Sequence, residues 1–337
     1  MGAINVIELE AFGSLKMKQR PMPVPGPGQA LVRMHAASLN FRDLLMVKGG
    51  YGSAAKPPFV PISDGAGQIE AVGPGVSRVA VGDRVVPSFF QGWLSGEPRG
   101  DRVSGALGGP LDGALTQYGV FDAQGLCRFP DHLSYEEAAC LPCAGLTAWS
   151  AVVSQGNTEP GDIVLTQGSG GVSIFALQFA KLKGCRVIAT TSSDAKAARL
   201  TALGADQVIN YKSEPEWGRV ARRMAAPLGV DHVIEIGGAG TLAQSVKATR
   251  FGGQISLIGV VAGASGDFNV ALIVMNNMRL QGVTVGSRDQ LQDMIDAIAL
   301  AKLKPAVDKV FAWDKLDEAM AYMQAGKHFG KVCLKIG

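Results

Sequence analysis

A glycine-rich turn between a strand-like and a helix-like segment is the clearest chemical feature of the sequence. Residues 168–173 read GSGGVS, after the apolar run IVLT at 163–166 and before a helical pattern at 171–183. The first glycine permits a tight turn, and the second lets the backbone approach a pyrophosphate closely. The N-terminus of the following helix offers free N–H groups to phosphates. The motif therefore predicts a dinucleotide site formed by Gly168, Ser169, Gly170, Gly171 and Val172.

One position of this motif departs from the usual dinucleotide fingerprint. Ser173 stands where the last glycine is expected, but serine is still small enough for close packing of helix against strand. The alternative is a plain strand–turn–helix without a ligand. The series of strands and helices around the turn favours the dinucleotide site.

The residues after the next strand-like run, RVIAT at 186–190, indicate which dinucleotide is bound. NAD-selective sites place Asp or Glu there, against the ribose 2′-hydroxyl. This chain has TTSS at 190–193, and the next charged residues are Asp194 and Lys196; hydroxyl groups with a nearby ammonium bind a 2′-phosphate. We therefore predict NADP(H), with Thr191, Ser192 and Lys196 near the phosphate and Tyr211 as a further candidate. Capping of the next helix is an alternative role for the serines, and the two roles are compatible.

The elements that must position these residues alternate between strand and helix over residues 126–289. Candidate strands are 163–166, 186–190, 207–210, 232–236 and 255–259, with a possible sixth at 283–286. Helical patterns lie at 171–183, 194–203, about 216–226 and 241–249. This alternation predicts the α/β fold class, with a doubly wound parallel sheet and helices on both faces.

Residues 1–125 have a different pattern and predict a second, β-rich domain. Short β-like runs are separated by Pro and Gly clusters, which favours an irregular, mostly antiparallel arrangement. These runs are QALVRMHAAS, GAGQIEAVG and GDRVVPSF. The Gly-rich residues 88–112 are expected to form an ordered surface loop. The tail from about 290 to 337 is expected to complete this domain.

Composition excludes several classes of protein. A chain of 337 residues is long enough for two domains. A net charge of +3, with no basic run, argues against nucleic-acid binding. The N-terminus lacks the apolar core of a signal peptide, and no segment approaches the roughly 18 consecutive apolar residues of a membrane span. Five scattered cysteines favour a reduced, cytoplasmic protein.

The sequence resembles the medium-chain dehydrogenase/reductase family over nearly its whole length. Besides the glycine turn, the matching motifs are SDGAGQIEAVGPGV (63–76), VGDRVV (81–86), LPCAGLTAW (141–149), ALGADQVINY (202–211) and GKVCL (330–334). The resemblance implies a GroES-like catalytic domain, a Rossmann domain and a cleft between them. It also implies a homodimer formed through the edge strands of the Rossmann sheets, near 283–286.

Many members of this family carry a catalytic zinc, and the resemblance locates its ligand positions. Matched motif to motif, these positions fall on Asn40, Ser63 and Cys143, where zinc would need thiolate and imidazole ligands. Residues 88–112 hold none of the four cysteines of the family's structural zinc. Because one thiol cannot hold a zinc ion, we predict that the chain binds no metal.

A C-x-x-C motif, Cys140 to Cys143, lies in the same stretch. It lacks the second pair that a zinc site needs and the strand–helix context of a redox dithiol. We interpret the two cysteines as unreactive buried thiols, with a reactive pair as the alternative.

The chemistry that remains without zinc is hydride transfer to an activated C=C bond. Oxidation of an alcohol without a Lewis acid is harder to explain, whereas a conjugated carbonyl accepts the developing charge. The stretch LNFRDLLMVKGGYG resembles that of quinone oxidoreductases and enoyl reductases, which lack zinc. The resemblance implies that Asn40 and Asp43 lie near the nicotinamide ribose and that Tyr51 donates a proton or a hydrogen bond to the substrate. A packing role for Tyr51 and a helix-capping role for Asp43 are the alternatives.

The resemblance also implies further cofactor contacts. The backbone of Gly259, Val260, Val285 and Gly286 would hold the carboxamide, and Lys331 would lie at the pyrophosphate. A solvated surface lysine is the alternative for Lys331. Phe89, Phe90 and Trp93 are candidates for an apolar substrate wall, or else anchors of the long loop.

Three functions remain open at this point. The first is an NADPH-dependent reductase of small hydrophobic α,β-unsaturated carbonyl compounds or quinones. The second is an alcohol dehydrogenase that works without the usual zinc or with an unforeseen metal. The third is a cofactor-binding sensor or structural protein without turnover, like some relatives.

Overall fold

The computed structural model describes residues 2–51 and 55–337, and the chain divides into two compact units. The first unit contains the residues up to Leu146 together with Val285–Gly337, and the second is Thr147–Thr284. The first unit thus extends beyond the predicted boundary at 125, because the strand Leu126–Arg128 pairs with Arg84–Pro87. Among the described residues, none of the helices combines the length and apolarity that a membrane span requires.

The elements are numbered here in chain order. The strands are β1 (Ala3–Ala11), β2 (Ser14–Pro21), β3 (Gln29–Ser38), β4 (Asp64–Val72), β5 (Arg84–Pro87), β6 (Tyr118–Asp122), β7 (Leu126–Arg128), β8 (Ile163–Gln167), β9 (Arg186–Thr191), β10 (Gln207–Asn210), β11 (Val230–Glu235), β12 (Thr249–Leu257), β13 (Arg279–Gly282), β14 (Val307–Ala312) and β15 (Lys331–Lys335). The α-helices are α1 (Phe41–Val47), α2 (Tyr135–Ala138), α3 (Leu146–Trp149), α4 (Gly171–Leu182), α5 (Asp194–Ala202), α6 (Trp217–Met224), α7 (Ala239–Ala248), α8 (Ala271–Met275), α9 (Arg288–Ala301) and α10 (Leu316–Gln324). Two π-helical segments, Leu141–Gly145 and Ser150–Ser154, flank α3.

The first unit is β-rich and mostly antiparallel, as predicted. Strands β1 and β2 form a hairpin, and a larger sheet has the order β14-β15-β3-β4-β5-β7, with β6 also paired to β3. The C-terminal strand β15 pairs antiparallel with β3, so the tail completes this sheet. The helix α1 follows β3 after Leu39 and Asn40, and Asn40 is its N-cap.

The second unit is a parallel sheet with the strand order β10-β9-β8-β11-β12-β13. Counted along the chain from β8, this order is 3-2-1-4-5-6, which is the Rossmann arrangement. The strands β8, β9, β10 and β11 lie close to their predicted positions. The next strand, β12, begins at Thr249, earlier than predicted. The α/β fold class is confirmed.

The predicted sixth strand is misplaced in the sequence interpretation. The edge strand is β13, at Arg279–Gly282, and residues 283–286 form no strand. Strand β13 aligns Arg279 with Gln254 and Gly282 with Leu257 of β12. The run VTVG has the composition of a strand, but β12 ends opposite Gly282 and offers no further partner.

A histidine is buried in the parallel sheet. His232, on β11, is 2% exposed, and its Nε2 lies 2.8 Å from the Ser256 hydroxyl. Burial lowers the pKa of His232 to about 4, because the imidazolium form would lose its hydration. The folded protein therefore holds this side chain neutral near neutral pH.

The free energy of unfolding is expected to fall as the pH drops from about 6.5 to about 4, because the unfolded chain then binds a proton that folded His232 does not. The difference corresponds to about 3 kcal/mol. Asp43, whose pKa burial raises to about 6, acts in the opposite direction over part of this range. The measure is therefore urea unfolding of the wild type and of His232→Asn, compared between about pH 7 and about pH 4.5. The prediction would be contradicted if the free energy of unfolding changed by the same amount between these two pH values in the wild type and in His232→Asn.

Candidate functional site

The glycine turn lies at the C-terminal end of β8 and opens α4. Gly168 has φ +74°, and a Cβ added at Gly168 or Gly170 would meet no atom within 4 Å, so the space over the turn is open. Gly170 is the N-cap of α4, and among the described residues no side chain caps this helix. The first-turn N–H groups of α4 therefore suit an anion. This geometry fits the predicted pyrophosphate contacts of Gly168, Ser169, Gly170, Gly171 and Val172.

The residues that predict the choice of dinucleotide surround the end of β9. Thr191 is buried and ends the strand, and the half-buried Ser192 follows it. Ser193 is the N-cap of α5 and accepts the Lys196 N–H at 3.4 Å, so the capping role falls to Ser193. The Tyr211 N–H donates to the Thr191 carbonyl at 2.9 Å. The four predicted residues thus belong to one local group, and Ser192 is not the cap.

Two loops after β12 and β13 carry the residues predicted to hold the carboxamide. A Cβ on Gly259 would lie 2.4 Å from the Ile236 carbonyl oxygen, so only glycine fits there. Val260, next to it, is exposed. Val285 has φ +50°, which costs a β-branched residue about 1–3 kcal/mol. Strain of this kind is concentrated at ligand-binding segments, which supports the prediction for Val285 and Gly286.

A buried carboxylate at the end of β11 organises the loop that follows it. Glu235 accepts the N–H groups of Gly237 and Gly238 at 2.7 and 3.0 Å and the Thr241 hydroxyl at 2.6 Å. Its other oxygen accepts Gln167 Nε2 at 2.7 Å and the Ser245 hydroxyl. Gln167 directly precedes the glycine turn, so this network ties the ends of β8 and β11 together.

Replacing Glu235 by Ala is expected to cost about 3–5 kcal/mol of unfolding free energy, because it leaves several buried donors without an acceptor. The measurement is urea unfolding, with Glu214→Ala, which removes an exposed carboxylate of the same unit, as the matched control. We expect the control to change stability by less than about 0.5 kcal/mol. Equal effects of the two substitutions would show that the network adds little.

A buried ammonium holds the start of α1. Lys331 is 3% exposed, and its Nζ donates to the Leu39 carbonyl and to Asn40 Oδ1, each at 2.5 Å. Asn40 Nδ2 in turn donates to Ser63 Oγ at 3.4 Å, and Ser63 Oγ donates to Asp64 Oδ1 at 2.8 Å. The surface alternative for Lys331 is therefore wrong. Its contact with a pyrophosphate stays a prediction, although the ammonium already has two acceptors in its own chain.

Two buried carboxylates accompany the buried cations. Burial raises the pKa of Asp43 to about 6, against the opposing effect of the Arg42 guanidinium. Burial also raises the pKa of Asp64, against the opposing effect of Lys331. The Asn40 N–H donates to Asp43 Oδ2 at 2.8 Å, which confirms the helix-capping role of Asp43. A contact of Asp43 with the nicotinamide ribose stays a prediction.

The three zinc-ligand positions do not fit zinc. The Asn40 amide oxygen accepts the Lys331 ammonium, which would also repel a second cation. Ser63 is bonded to Asp64, and burial raises the pKa of Cys143, which disfavours the thiolate. Zinc needs thiolate and imidazole ligands, and this set offers a single thiol. Within residues 2–51 and 55–337, no group of three or more His, Cys, Asp or Glu is arranged to hold a metal.

The C-x-x-C cysteines do not pair with each other. Cys140 Sγ lies 3.5 Å from Cys333 Sγ, and both side chains are buried. Burial raises the pKa of Cys140, which supports the interpretation of an unreactive thiol. Cys143 instead donates its backbone N–H to Asp64 Oδ2 at 3.1 Å. The neighbour of Cys140 comes from the end of the chain, which spacing alone does not reveal.

The aromatic residues of the long loop are mostly internal. Phe89, Phe90 and Trp93 are buried, and the Phe89 and Phe90 ring centroids lie 4.6 Å apart. Trp93 Nε1 donates to the Gly96 carbonyl at 2.9 Å. These contacts support their role as anchors of the loop, and an apolar substrate wall stays a prediction.

The predicted proton donor lies against a cation that the sequence interpretation missed. Tyr51 is 43% exposed, and the Arg42 guanidinium carbon lies 5.0 Å from its ring centroid. The signal for Arg42 was a charged residue within the apolar run LNFRDLLM. Asp64 carried a similar signal, as an acid between apolar and glycine residues. The structure thus places Asn40 at the N-cap of α1, Asp43 in its first turn and Tyr51 shortly after its end.

Comparison with known proteins assigns the chain to a family. Residues 26–131 match the alcohol dehydrogenase GroES-like domain, and residues 171–323 match the zinc-binding dehydrogenase domain. A zinc-type alcohol dehydrogenase-like protein of Schizosaccharomyces pombe is 43% identical over 336 residues, which cover 98% of this chain and 97% of that protein. The chain belongs to the medium-chain dehydrogenase/reductase family. The resemblance drawn from the sequence motifs is confirmed, and so is the prediction that the protein is an oxidoreductase.

Solved structures of this family match nearly the whole of this chain. A candidate alcohol dehydrogenase from Sinorhizobium meliloti 1021 has a TM-score of 0.93 and 39% identity, covering 99% of each chain. An NAD-dependent alcohol dehydrogenase has a TM-score of 0.90 and 35% identity, covering 99% of this chain and all of the other. More distant relatives have other names. An acryloyl-coenzyme A reductase of Sulfurisphaera tokodaii is 26% identical over 95% of this chain and 96% of its own.

Proposed function

We propose that this chain is an NADPH-dependent oxidoreductase that transfers hydride, without a metal, to the activated C=C bond of α,β-unsaturated carbonyl compounds or quinones. The observation that carries the proposal is the chemistry at the three zinc-ligand positions. Asn40, Ser63 and Cys143 offer one thiol, and the Lys331 ammonium donates to the Asn40 amide oxygen. A substrate that carries its own electron acceptor, a conjugated carbonyl, suits such a site.

The choice of NADPH is supported by the end of β9. No acidic residue follows Thr191 directly, and Ser192 is not the helix cap. The proposed roles are pyrophosphate binding by the glycine turn and 2′-phosphate binding by Ser192 and Lys196. When bound, NADPH supplies the hydride.

The chain's own groups must then stabilise the negative charge that hydride addition leaves on the carbonyl oxygen. The Tyr51 phenol is partly exposed and can donate a hydrogen bond or a proton. Asn40 is held in one orientation by Lys331 and Ser63, which suits a residue that orients the nicotinamide ribose. Hydrogen-bond donors fixed before the reaction are the main means of stabilising such an oxyanion.

An alcohol dehydrogenase is the second candidate. The relative from Schizosaccharomyces pombe and both solved structures have alcohol dehydrogenase names, and one of these is NAD-dependent. The acryloyl-coenzyme A reductase, by its name, acts on an activated C=C bond instead. The missing imidazole and second thiol favour the reductase for this chain.

The proposal is tested on the purified chain by metal analysis and by two assays. The first assay follows oxidation of NADPH and NADH with a panel of enones, quinones and aldehydes. The second follows reduction of NADP⁺ and NAD⁺ with simple alcohols. We expect turnover of enones or quinones with NADPH that EDTA does not reduce.

Each other outcome points to a different function. Stoichiometric zinc that is essential for activity, or faster oxidation of alcohols, would overturn the proposal in favour of an alcohol dehydrogenase. Cofactor binding without turnover of any substrate in the panel would favour a sensor.

We also propose that two copies associate through β13, the edge strand of the parallel sheet. Pairing of this edge would cover exposed backbone N–H and C=O groups. A monomer in sedimentation equilibrium at micromolar concentration would contradict the dimer.

A further inference from the structure

Arg42 is a buried cation, and the two terminal nitrogens of its guanidinium donate hydrogen bonds to acceptors of the first unit. The side chain is 7% exposed, and its Nη1 donates to the Leu107 carbonyl at 3.1 Å and to Asp43 Oδ1 at 3.3 Å. Nη2 donates to the Gly109 carbonyl at 3.3 Å. The buried Nε has no hydrogen-bond partner among the described residues. The position of the guanidinium is thus fixed by α1 and by the long loop.

The guanidinium lies over two aromatic rings of very different exposure. Its central carbon is 5.0 Å from the ring centroid of Phe89 and 5.0 Å from that of Tyr51. Phe89 is buried, whereas Tyr51 is 43% exposed. A cation over an aromatic face contributes an attraction that strengthens as water is excluded. The partly exposed ring of Tyr51 therefore packs against a cation that three hydrogen bonds hold in place.

The charge of Arg42 also acts on the Tyr51 phenol. Burial raises the pKa of Tyr51, and the Arg42 guanidinium opposes this rise because it favours the phenolate. The other charged or titratable groups that act on Tyr51 are Asp43 on α1 and Cys143 on the first π-helical segment, and both raise its pKa. Among these charged or titratable groups, Arg42 is thus the one that lowers the pKa of Tyr51.

We propose that Arg42 is a positioning residue of the reduction site, which fixes the Tyr51 ring and keeps a positive charge beside the phenol that donates to the substrate oxygen. This inference rests on the proposed function. It explains why a buried guanidinium, whose Nε has no hydrogen-bond partner among the described residues, lies directly beside the partly exposed ring of Tyr51. The alternative is that Arg42 only braces the loop at Leu107 and Gly109.

Arg42 assists the addition of hydride and the proton transfer that follows it. Hydride adds to the β-carbon and forms a C–H bond, and the π electrons of the C=C bond move toward the carbonyl oxygen. The substrate gains two electrons while NADPH is oxidised to NADP⁺. The Tyr51 O–H gives its proton to the enolate, and water returns a proton to the phenolate. A nearby fixed cation lowers the energy of both the enolate and the phenolate.

The experiment compares Arg42→Met, Arg42→Lys, Tyr51→Phe and the double variant Arg42→Met/Tyr51→Phe with the wild type. Arg33→Met, at an exposed position of β3, is the matched control. The measurements are kcat and KM with NADPH and an enone across pH, together with urea unfolding. For Arg42→Met we expect kcat to fall about 10- to 100-fold and the basic limb of the pH profile to move to higher pH, because the phenol becomes a weaker acid.

The two other variants separate positioning from bracing. Arg42→Lys keeps the charge but loses the fork, so the basic limb should stay near the wild-type position although the unfolding midpoint falls. In the Tyr51→Phe background, Arg42→Met should lower kcat by less than about threefold more, because the two residues act together. An unmoved basic limb in Arg42→Met, or an equal loss of kcat with and without Tyr51, would overturn the inference and leave only a brace.

A failure of the proposed function would be seen separately, as absence of enone and quinone turnover in the wild type. In that case the pKa of the Tyr51 phenol is measured directly by NMR titration of protein with ring-labelled tyrosine. The Tyr51 signal is assigned as the one that Tyr51→Phe removes. A Tyr51 titration at higher pH in Arg42→Met supports the charge effect, and an unchanged titration overturns it.

Discussion

Replacing Ser192 by Asp together with Lys196 by Ala is expected to reverse the proposed preference for NADPH in favour of NADH. The new carboxylate would stand at the end of β9, where it repels a 2′-phosphate and accepts a hydrogen bond from a 2′-hydroxyl. Loss of the ammonium removes a charge-assisted contact of about 1.5–3 kcal/mol. We expect the Kd for NADPH to rise about 100-fold, and that for NADH to fall.

The measurement is fluorescence titration of both cofactors, which does not depend on knowing the substrate. Lys183→Ala is the matched control, because Lys183 is the C-cap of α4, at the opposite end of the helix that the glycine turn opens. An equal loss of NADPH affinity in Lys183→Ala would show that the effect comes from the overall charge of the unit and not from a contact with the 2′-phosphate. Tighter binding of NADH than NADPH by the wild type would contradict the prediction of NADP(H) itself.

Replacing Lys331 by Met is expected to destabilise the first unit by about 3–5 kcal/mol, because buried partners then lose their cation. The Leu39 carbonyl and Asn40 Oδ1 would lose their shared donor, and the buried Asp64 would lose the charge that opposes the rise of its pKa. Asn40 would also lose its fixed orientation, so the rate of hydride transfer should fall with stability. Urea unfolding and enone reduction measure the two effects.

Lys335→Met is the matched control, because Lys335 is exposed on the same strand. The sequence resemblance places Lys331 at the pyrophosphate instead, and this role predicts a different result. A variant with unchanged stability and a weaker Kd for NADPH would show that the ammonium serves the cofactor. A variant with lower stability and unchanged Kd would show that it serves Asn40.

The parallel sheet and its turn were predictable because local signals and packing agree there. The run before Gly168 begins with three apolar residues, Ile163 to Leu165, as expected for β8, which is buried in the middle of the sheet. The helix after the turn was predicted at 171–183 and is observed at Gly171–Leu182. Strand β13 was missed because its residues, RLQG, lie mostly exposed at the edge of the sheet and lack an apolar run.

The predictions around α1 were less complete because they depend on residues distant in the chain. Asn40 and Asp43 were identified by resemblance, but their partner Lys331 arrives from β15. Arg42 was not considered, since a charged residue in a short helix usually faces solvent. Its burial follows from carbonyl groups of Leu107 and Gly109, which lie far from it in the sequence.

The sequence alone determined the two kinds of domain, the glycine turn, the absence of an acid after β9 and the loss of two zinc ligands. These are properties of residue type and near-neighbour spacing, which the chain displays before it folds. Only the tertiary structure decided that Lys331 is internal, that Cys140 meets Cys333, and that Arg42 lies over the rings of Tyr51 and Phe89. The physical reason is that burial and charge pairing depend on which distant segments meet, because a buried cation is stable only where acceptors from other strands and loops surround it.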